Sequence, residues 1–276
     1  MDDVRERAGE LPARAAPGGA PCGPDPGASG AHRADAELLL DAEPAAVLRR
    51  VGARTTCVVE LDGAPCIVKR DLERSGWRRL FGARASAAER EHANLVELAR
   101  DGVPVPRAIA WIARDGVDGR ASAVAMERIE HDATLRERLA IAPADERRAW
   151  AERLAVLVAD LHARGWYHRD LYLQHVVLRR GASDERALVL LDVGRARRER
   201  APRERWFVKD VAALLHSTPR VVTTHERLRF LARYLDLARV ADRRARRRFL
   251  ARVVAKERRM AAHVPRAGET RPWEDR

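Results

Sequence analysis

The sequence predicts an α+β fold in two lobes, the first β-rich and the second mainly helical. Three observations predict it. Apolar runs with tight-turn signals crowd the stretch from about residue 47 to residue 129. Helical spacing dominates from "TLRERLA" onward, and one pair of short apolar strands, "HVVLRR" and "ALVLLDV", interrupts it. A chain of 276 residues is long enough for two lobes with a shared core. The lobes are expected over 36–128 and 129–265, with a cleft near residues 127–131 and a frayed tail over 266–276.

Each element has a local reason. Residues 1–35 are rich in Gly, Pro, Ala and charge, so they bury too little apolar area to offset ordering entropy and read as disordered. "TTCVVELDGAPCIVKR" (55–70) reads as two strands about a turn at Asp62–Gly63, a strong hairpin signal. "SAAEREHANLVELARDG" (86–102) opens on Ser86 with Glu89 three residues later, a capping-box spacing, and closes at Gly102, with Pro104 and Pro106 barring continuation. "RAIAWIARDGVDGRASAVAMERI" is a second hairpin, turning at 115–119. Residues 144–165 form a long amphipathic helix ending at Gly165. Helices "FVKDVAALLHST", "HERLRFLARYLDLA" and "DRRARRRFLARVVAKERRMAAH" complete the second lobe.

Composition excludes several classes. The formal charge is +12, but arginine is spread along the whole chain, so most of the excess reads as solvated surface. Lysine is rare: Lys69, Lys209 and Lys256 are the three in the chain. Where arginine is the default, a lysine marks a place suited to a compact point charge rather than a planar fork. Three cysteines, with no CxxC pair, argue against a disulfide framework or zinc site and for a reducing, cytoplasmic compartment. The N-terminus has no apolar h-region, and no run of 18 apolar residues exists, so a soluble or peripheral protein is expected. Aromatics make up 5% of residues and offer few stacking platforms, so no nucleic-acid partner is expected.

The chemistry concentrates in "YHRDLYLQHVVL" (167–178). A long helix delivers His168, Arg169 and Asp170 into a loop before a strand begins near Val176. A second apolar strand then delivers Asp192, followed by Val193-Gly194. One aspartate can accept a proton from a substrate hydroxyl, and the other can hold a divalent cation through hard oxygen ligands. "CIVK" places Lys69 at a strand end, as a cation for nucleotide phosphates. Glu89 or Glu91 on the following helix can orient it. Strand lysine, helix glutamate, HRD loop and Asp-x-Gly, in this order, form the protein-kinase signature set.

The same segments resemble the lipopolysaccharide core kinase family, the Kdo and WaaP heptose kinase group. "YHRDLYLQHVVL" resembles that family's HRD-x-Y-x-x-H-x-x-L loop, with His175 where protein kinases carry asparagine. "LLDVGRAR" resembles its metal-binding segment and "GARTTCVVELDGAPCIVKR" its nucleotide hairpin. "AAEREHANLVELARDGVPVP" resembles its first helix, which selects Glu91 as the partner of Lys69. "RWFVKDVAALLHST" resembles a helix whose aspartate, here Asp210, tethers the catalytic loop. The resemblance covers about residues 47–237.

It implies a bilobal protein-kinase-like fold and transfer of phosphate from ATP, with Mg²⁺, to a heptose or Kdo hydroxyl. Asp170 is the implied base, His168 and Arg169 order its loop, and Asp192 and His175 are the metal side. Lys69, Glu91, the backbone around Arg54 and the hinge Met126–Ile129, with Glu127 and Ile129, form the nucleotide side. The implied acceptor is lipid-linked core oligosaccharide at the cytoplasmic face of the inner membrane, where the basic surface suits anionic lipid. Two departures stand out: one glycine, Gly52, replaces a Gly-rich loop, and Val-Gly-Arg follows Asp192 where core kinases often have Leu-His-Arg. A kinase of another small molecule or of protein, a nucleotide-binding pseudokinase and a basic nucleic-acid binder are the competing readings. Acceptor screening, ATP consumption and salt-dependent filter binding separate them.

Overall fold

The computed structural model describes residues 38–74, 85–117, 119–182, 187–201 and 203–263. The segments expected to be disordered (1–35) and frayed (266–276) lie outside them.

The first lobe is an antiparallel sheet of β1 (Ala46–Val51), β2 (Arg54–Leu61), β3 (Ala64–Arg74), β4 (Ala108–Gly116) and β5 (Gly119–Glu127), in the order β1-β2-β3-β5-β4. The Asp62–Gly63 signal is realised as a two-residue turn with both residues at positive φ (50° and 74°), closing the Leu61–Ala64 pair. Helix α1 (Ala87–Arg100) packs on β4 and β5. It has the full Ser86–Glu89 capping box, and it stops where Gly102 turns to φ 79° and Val103 N–H donates to the Leu98 carbonyl.

Strand alternation sorts the sheet's two faces. Cys57, Val59, Val68, Ala123 and Ala125 pack under Leu39, in the helical stretch 38–41. Val124 and Met126 face the main core with Leu95 and Leu98. Lys69 follows Val68, so the pleat turns it to the α1 side.

The second lobe runs β6 (His131–Thr134), α2 (Leu135–Ile141), α3 (Ala144–Ala163), β7 (Trp166–Tyr167), β8 (Val176–Arg179), β9 (Leu188–Leu190), β10 (Arg197–Arg198), α4 (Glu204–His216), α5 (Thr224–Leu237) and α6 (Arg243–Ala261). α3 packs on α5 and α4 on α6 around buried Val158, Leu161, Leu214, Phe230, Phe249 and Val253. Strands β6, β8 and β9 form one small sheet, and β7 pairs with β10. The fold is thus the bilobal, protein-kinase-like α+β arrangement that the sequence predicts.

Four strands go beyond the two hairpins and the strand pair expected. β1 is exposed along its whole length and shows no one-sided burial to read. β6, β7 and β10 have four, two and two residues, too short for a periodic signal. α1 also joins the lobes. Asp101 at its C-terminus accepts from Trp166 Nε1 (2.7 Å) and pairs with Arg198 (3.1 Å).

Candidate active site

Lys69 is the hub of the first cluster. Its Nζ lies 2.5 Å from Glu91 Oε1 and 2.9 Å from Asp192 Oδ1. Of the two glutamates open to the sequence, Glu91 takes this place, and Glu89 closes the helix cap. Burial disfavours the Lys69 ammonium, but Glu91 and Asp192 more than offset it and raise its pKa. Burial likewise pushes the Asp192 carboxyl up, while the Lys69 ammonium, by charge and hydrogen bond, pulls harder, so it titrates well below the usual carboxylate range. Lys69 stays charged and Asp192 ionised at neutral pH.

The backbone aims Asp192. Its φ of 57° and ψ of 49° are left-handed, at the start of a 3₁₀ turn over Val193–Arg195. Asn94 of α1 holds that turn by donating Nδ2 to the carbonyls of Val193 (2.8 Å) and Ala196 (3.1 Å). Gly194 is pressed against the same helix. A Cβ there would meet Glu91 Oε2 at 3.1 Å, which accounts for the absence of a side chain.

The loop carrying Asp170 is tied from below. Buried Asp210 on α4 accepts the backbone N–H of His168 (2.6 Å) and of Arg169 (2.7 Å). Arg169 sits at φ 74°, with its guanidinium 5.1 Å from the Trp206 ring centroid. His168 is buried, which lowers its pKa and keeps the ring neutral. Its Nε2 lies 3.0 Å from the Leu191 carbonyl, and so joins the loop to the strand that leads to Asp192. Behind Asp210, His162 lies 3.5 Å from Oδ2 and 2.8 Å from the Tyr234 hydroxyl.

His175 links the two aspartates. Its Nδ1 is 2.8 Å from the Asp170 carbonyl, so that nitrogen carries the proton and donates. Nε2 then presents a lone pair toward Asp192 Oδ2, 3.9 Å away. The two groups face each other beyond hydrogen-bond range; among the described residues no cluster of three or more His, Cys, Asp or Glu side chains is placed to hold a metal ion, so a cation here would take its remaining ligands from nucleotide phosphates and water.

The second cluster surrounds the Asp170 carboxylate. Arg195 Nη1 lies 3.1 Å from Oδ1 and 3.0 Å from Oδ2. Lys209 Nζ lies 3.5 Å from Oδ1 and donates to the Arg169 carbonyl. Sequence reasoning assigned neither cation to the site. Lysine's rarity and the adjacency of Lys209 to Asp210 were the available signals for one; Arg195 had no signal among so many arginines.

The remaining sequence-predicted residues make other contacts. The Arg54 guanidinium gives Nε and Nη2 to Asp71 (3.2 and 2.9 Å) and also feels the charges of Asp192 and Glu91. The Glu127 side chain accepts from Arg179 (3.0 Å) and from the Arg107 backbone (3.0 Å), and Ile129 is buried against Val177 and Val189. Both hinge side chains are thus occupied, which leaves a base-reading role to the backbone.

Comparison with known proteins places the chain in a family. Residues 67–234 match the Lipopolysaccharide kinase (Kdo/WaaP) family. The chain is 31% identical over 209 residues to the lipopolysaccharide core heptose(I) kinase WaaP of Pseudomonas aeruginosa, covering 68% of this chain and 76% of that protein. It is 36% identical over 93 residues to the protein of the same name from Escherichia coli, covering 32% of this chain and 35% of that protein. A solved structure of WaaP in complex with acyl carrier protein superposes with a TM-score of 0.62 at 27% identity, covering 81% of this chain and 91% of that one. A lysine, a glutamate and two aspartates gathered between the lobes, on a chain matched over most of its described length, have one reading: the chain belongs to the lipopolysaccharide kinase (Kdo/WaaP) family and is an ATP-dependent kinase.

Proposed function

We propose that the chain transfers the γ-phosphoryl group of Mg²⁺-ATP to a heptose hydroxyl of the lipopolysaccharide core. The observation that carries this reading is the Lys69 ammonium held between Glu91 and Asp192, with His175 against the Asp170 backbone carbonyl and facing Asp192 from the other nitrogen. The heptose, rather than Kdo, follows the names of the two WaaP relatives.

Each residue then has a task. Asp170 orients the acceptor hydroxyl and takes its proton. Lys69, held by Glu91, contacts the α/β-phosphates. Asp192 and the His175 lone pair hold Mg²⁺, which neutralises charge on the phosphates when bound. The backbone over Arg54–Thr56 covers the phosphates, and the backbone of Met126–Ile129 reads the base. His168 and Arg169, anchored by Asp210, fix the loop so that catalysis is positional and electrostatic. The lobe boundary falls at residues 128/129, where β5 leaves the sheet.

Contact with an anionic leaflet is supported by α6. Its exposed side includes Arg243, Arg244, Arg247 and Arg248, while Phe249 and Val253 face the core. Among the described residues, no helix is long and apolar enough to cross a membrane.

The test is incubation with γ-³²P-ATP and lipopolysaccharide whose core phosphates have been stripped chemically, then mass spectrometry of the labelled product. The expected label is one phosphate on a core heptose. Asp170→Ala should abolish turnover while nucleotide binding persists. An Asp170→Ala variant working at the parental rate would refute the base assignment, and label on another acceptor would refute the substrate.

A further inference from the structure

We propose that Lys209 is a catalytic residue of this transfer, its ammonium binding the phosphoryl group in flight beside Asp170. The proposal rests on the kinase reading above and adds a role for a residue outside the strand-lysine, helix-glutamate, HRD and Asp-x-Gly set.

The argument begins with placement. Lys209 precedes Asp210 on α4, and Asp210 clamps the His168 and Arg169 amides. The same stretch of helix therefore brings the Lys209 ammonium under the loop, against the Arg169 carbonyl and 3.5 Å from Asp170 Oδ1. That is longer than the roughly 2.7–2.9 Å of a charge-assisted hydrogen bond. Arg195 already contacts both Asp170 oxygens, at 3.1 and 3.0 Å. One carboxylate thus faces two cations, and one positive charge is left over. With three donors and one committed to Arg169, the ammonium has donors left for an anion.

Charge balance around Lys209 agrees. Burial pushes its pKa down, Arg195 and Arg169 push the same way, and Asp170 and Asp210 do not restore it. A phosphoryl group would supply the missing negative charge. The residue type agrees too, since lysine occurs three times in a chain with 53 lysines and arginines. Two of the three, Lys69 and Lys209, lie in this cleft.

In the step, the acceptor oxygen forms its bond to the γ-phosphorus as the bond to the β–γ bridging oxygen breaks. The hydroxyl proton passes to Asp170, and the electron pair of the broken bond leaves with ADP. Lys209 keeps its protons and neutralises the equatorial oxygens.

The test uses the full chain, γ-³²P-ATP and the stripped lipopolysaccharide. Lys209→Met is expected to lower kcat by about 10²-fold, with KM for ATP within about threefold of the parent. Lys209→Arg is expected to regain part of that loss by restoring the charge. In the parent, kcat/KM for ATP, which reports the free enzyme, should fall on the alkaline side below the usual lysine pKa, and Lys209→Arg should remove that limb. A residue that only props the Arg169 carbonyl would leave the limb in place. The proposal is overturned if Lys209→Met keeps kcat within about threefold of the parent, or if the parent and Lys209→Arg share one alkaline limb. Should Lys209→Met not fold, the Lys209→Arg profile decides alone. A parent that transfers no label overturns the kinase reading and this one with it, whereas an active parent with an equally active Lys209→Met overturns this one alone.

Discussion

The two ends of the cleft carry opposite charge. At the nucleotide end, one cation, Lys69, faces two carboxylates, Glu91 and Asp192, leaving a net charge of about −1 by Coulomb bookkeeping. At the acceptor end, two carboxylates, Asp170 and buried Asp210, face three cations, Arg195, Lys209 and Arg169, leaving about +1. The first end is built to take a further cation and the second a further anion. In the proposed reading Mg²⁺ and a phosphoryl group are such a pair, and His175 lies between the two ends, against the Asp170 backbone carbonyl and facing Asp192. The difference teaches that this site cannot be understood from its carboxylates alone, because the counter-charges decide what each carboxylate does.

The largest expected effect breaks the nucleotide end. Asp192→Asn removes the charge that balances Lys69 and the oxygen facing His175, and should lower kcat/KM by about 10³-fold. Steady-state kinetics at fixed Mg²⁺ checks it, and a loss below about tenfold would contradict the assignment.

Next is Gly194→Ala, which leaves every charge in place. Its Cβ would fall 3.1 Å from Glu91 Oε2, so Glu91 must shift and Lys69 with it. A KM for ATP raised about tenfold is expected, with a smaller change in kcat, since misplacing a positioning group costs binding and alignment together. Asn94→Ala sharpens the same comparison from the structural side. It takes the Asn94 amide from the Val193 carbonyl, which keeps the Ala196 N–H (2.9 Å), and from the Ala196 carbonyl, and should cost about 1 kcal/mol of stability, read as a lower Tm.

The smallest effect lies outside both clusters. Glu226 on α5 is paired with Arg147 of α3 at 2.8 Å, and this hydrogen bond holds its carboxyl down at about 2. A depressed carboxylate stabilises the fold above its unfolded value of about 4.3, and that stability is lost as pH falls toward about 2. Glu226→Gln should therefore be slightly less stable than the parent at neutral pH, and the gap should close on acidification while kcat stays unchanged. Thermal melts across pH check this, and a gap that widens in acid would contradict it.

Legibility in the sequence divides along the same line. Lys69, Glu91, the Asp170 loop and Asp192 sit in local contexts that announce them: a strand end after a hairpin, a capped helix, a helix-to-strand loop. Asp62–Gly63, the Ser86–Glu89 cap and Gly102 were readable because turn and cap chemistry is local. Arg195, Lys209 and Asn94 act across the fold, and Asn94 reaches a carbonyl 99 residues away. No periodicity encodes such an approach. β1 escaped for another reason, since a strand exposed on both faces shows no alternation. His162, a polar residue in the most apolar part of the long helix, is buried against Tyr234 and Asp210. A buried polar pair looks like an interruption until its partner is seen.

The most direct test of the charge comparison is calorimetric binding of Mg²⁺-ADP with and without aluminium fluoride, a planar stand-in for the phosphoryl group in flight. The parent should bind the fluoride complex about 10²-fold tighter than Mg²⁺-ADP alone. Lys209→Met should keep the affinity for Mg²⁺-ADP and lose that gain, and Asp192→Asn should lose both. An undiminished gain in Lys209→Met would contradict the assignment of the acceptor end as the cationic seat of the transferred group.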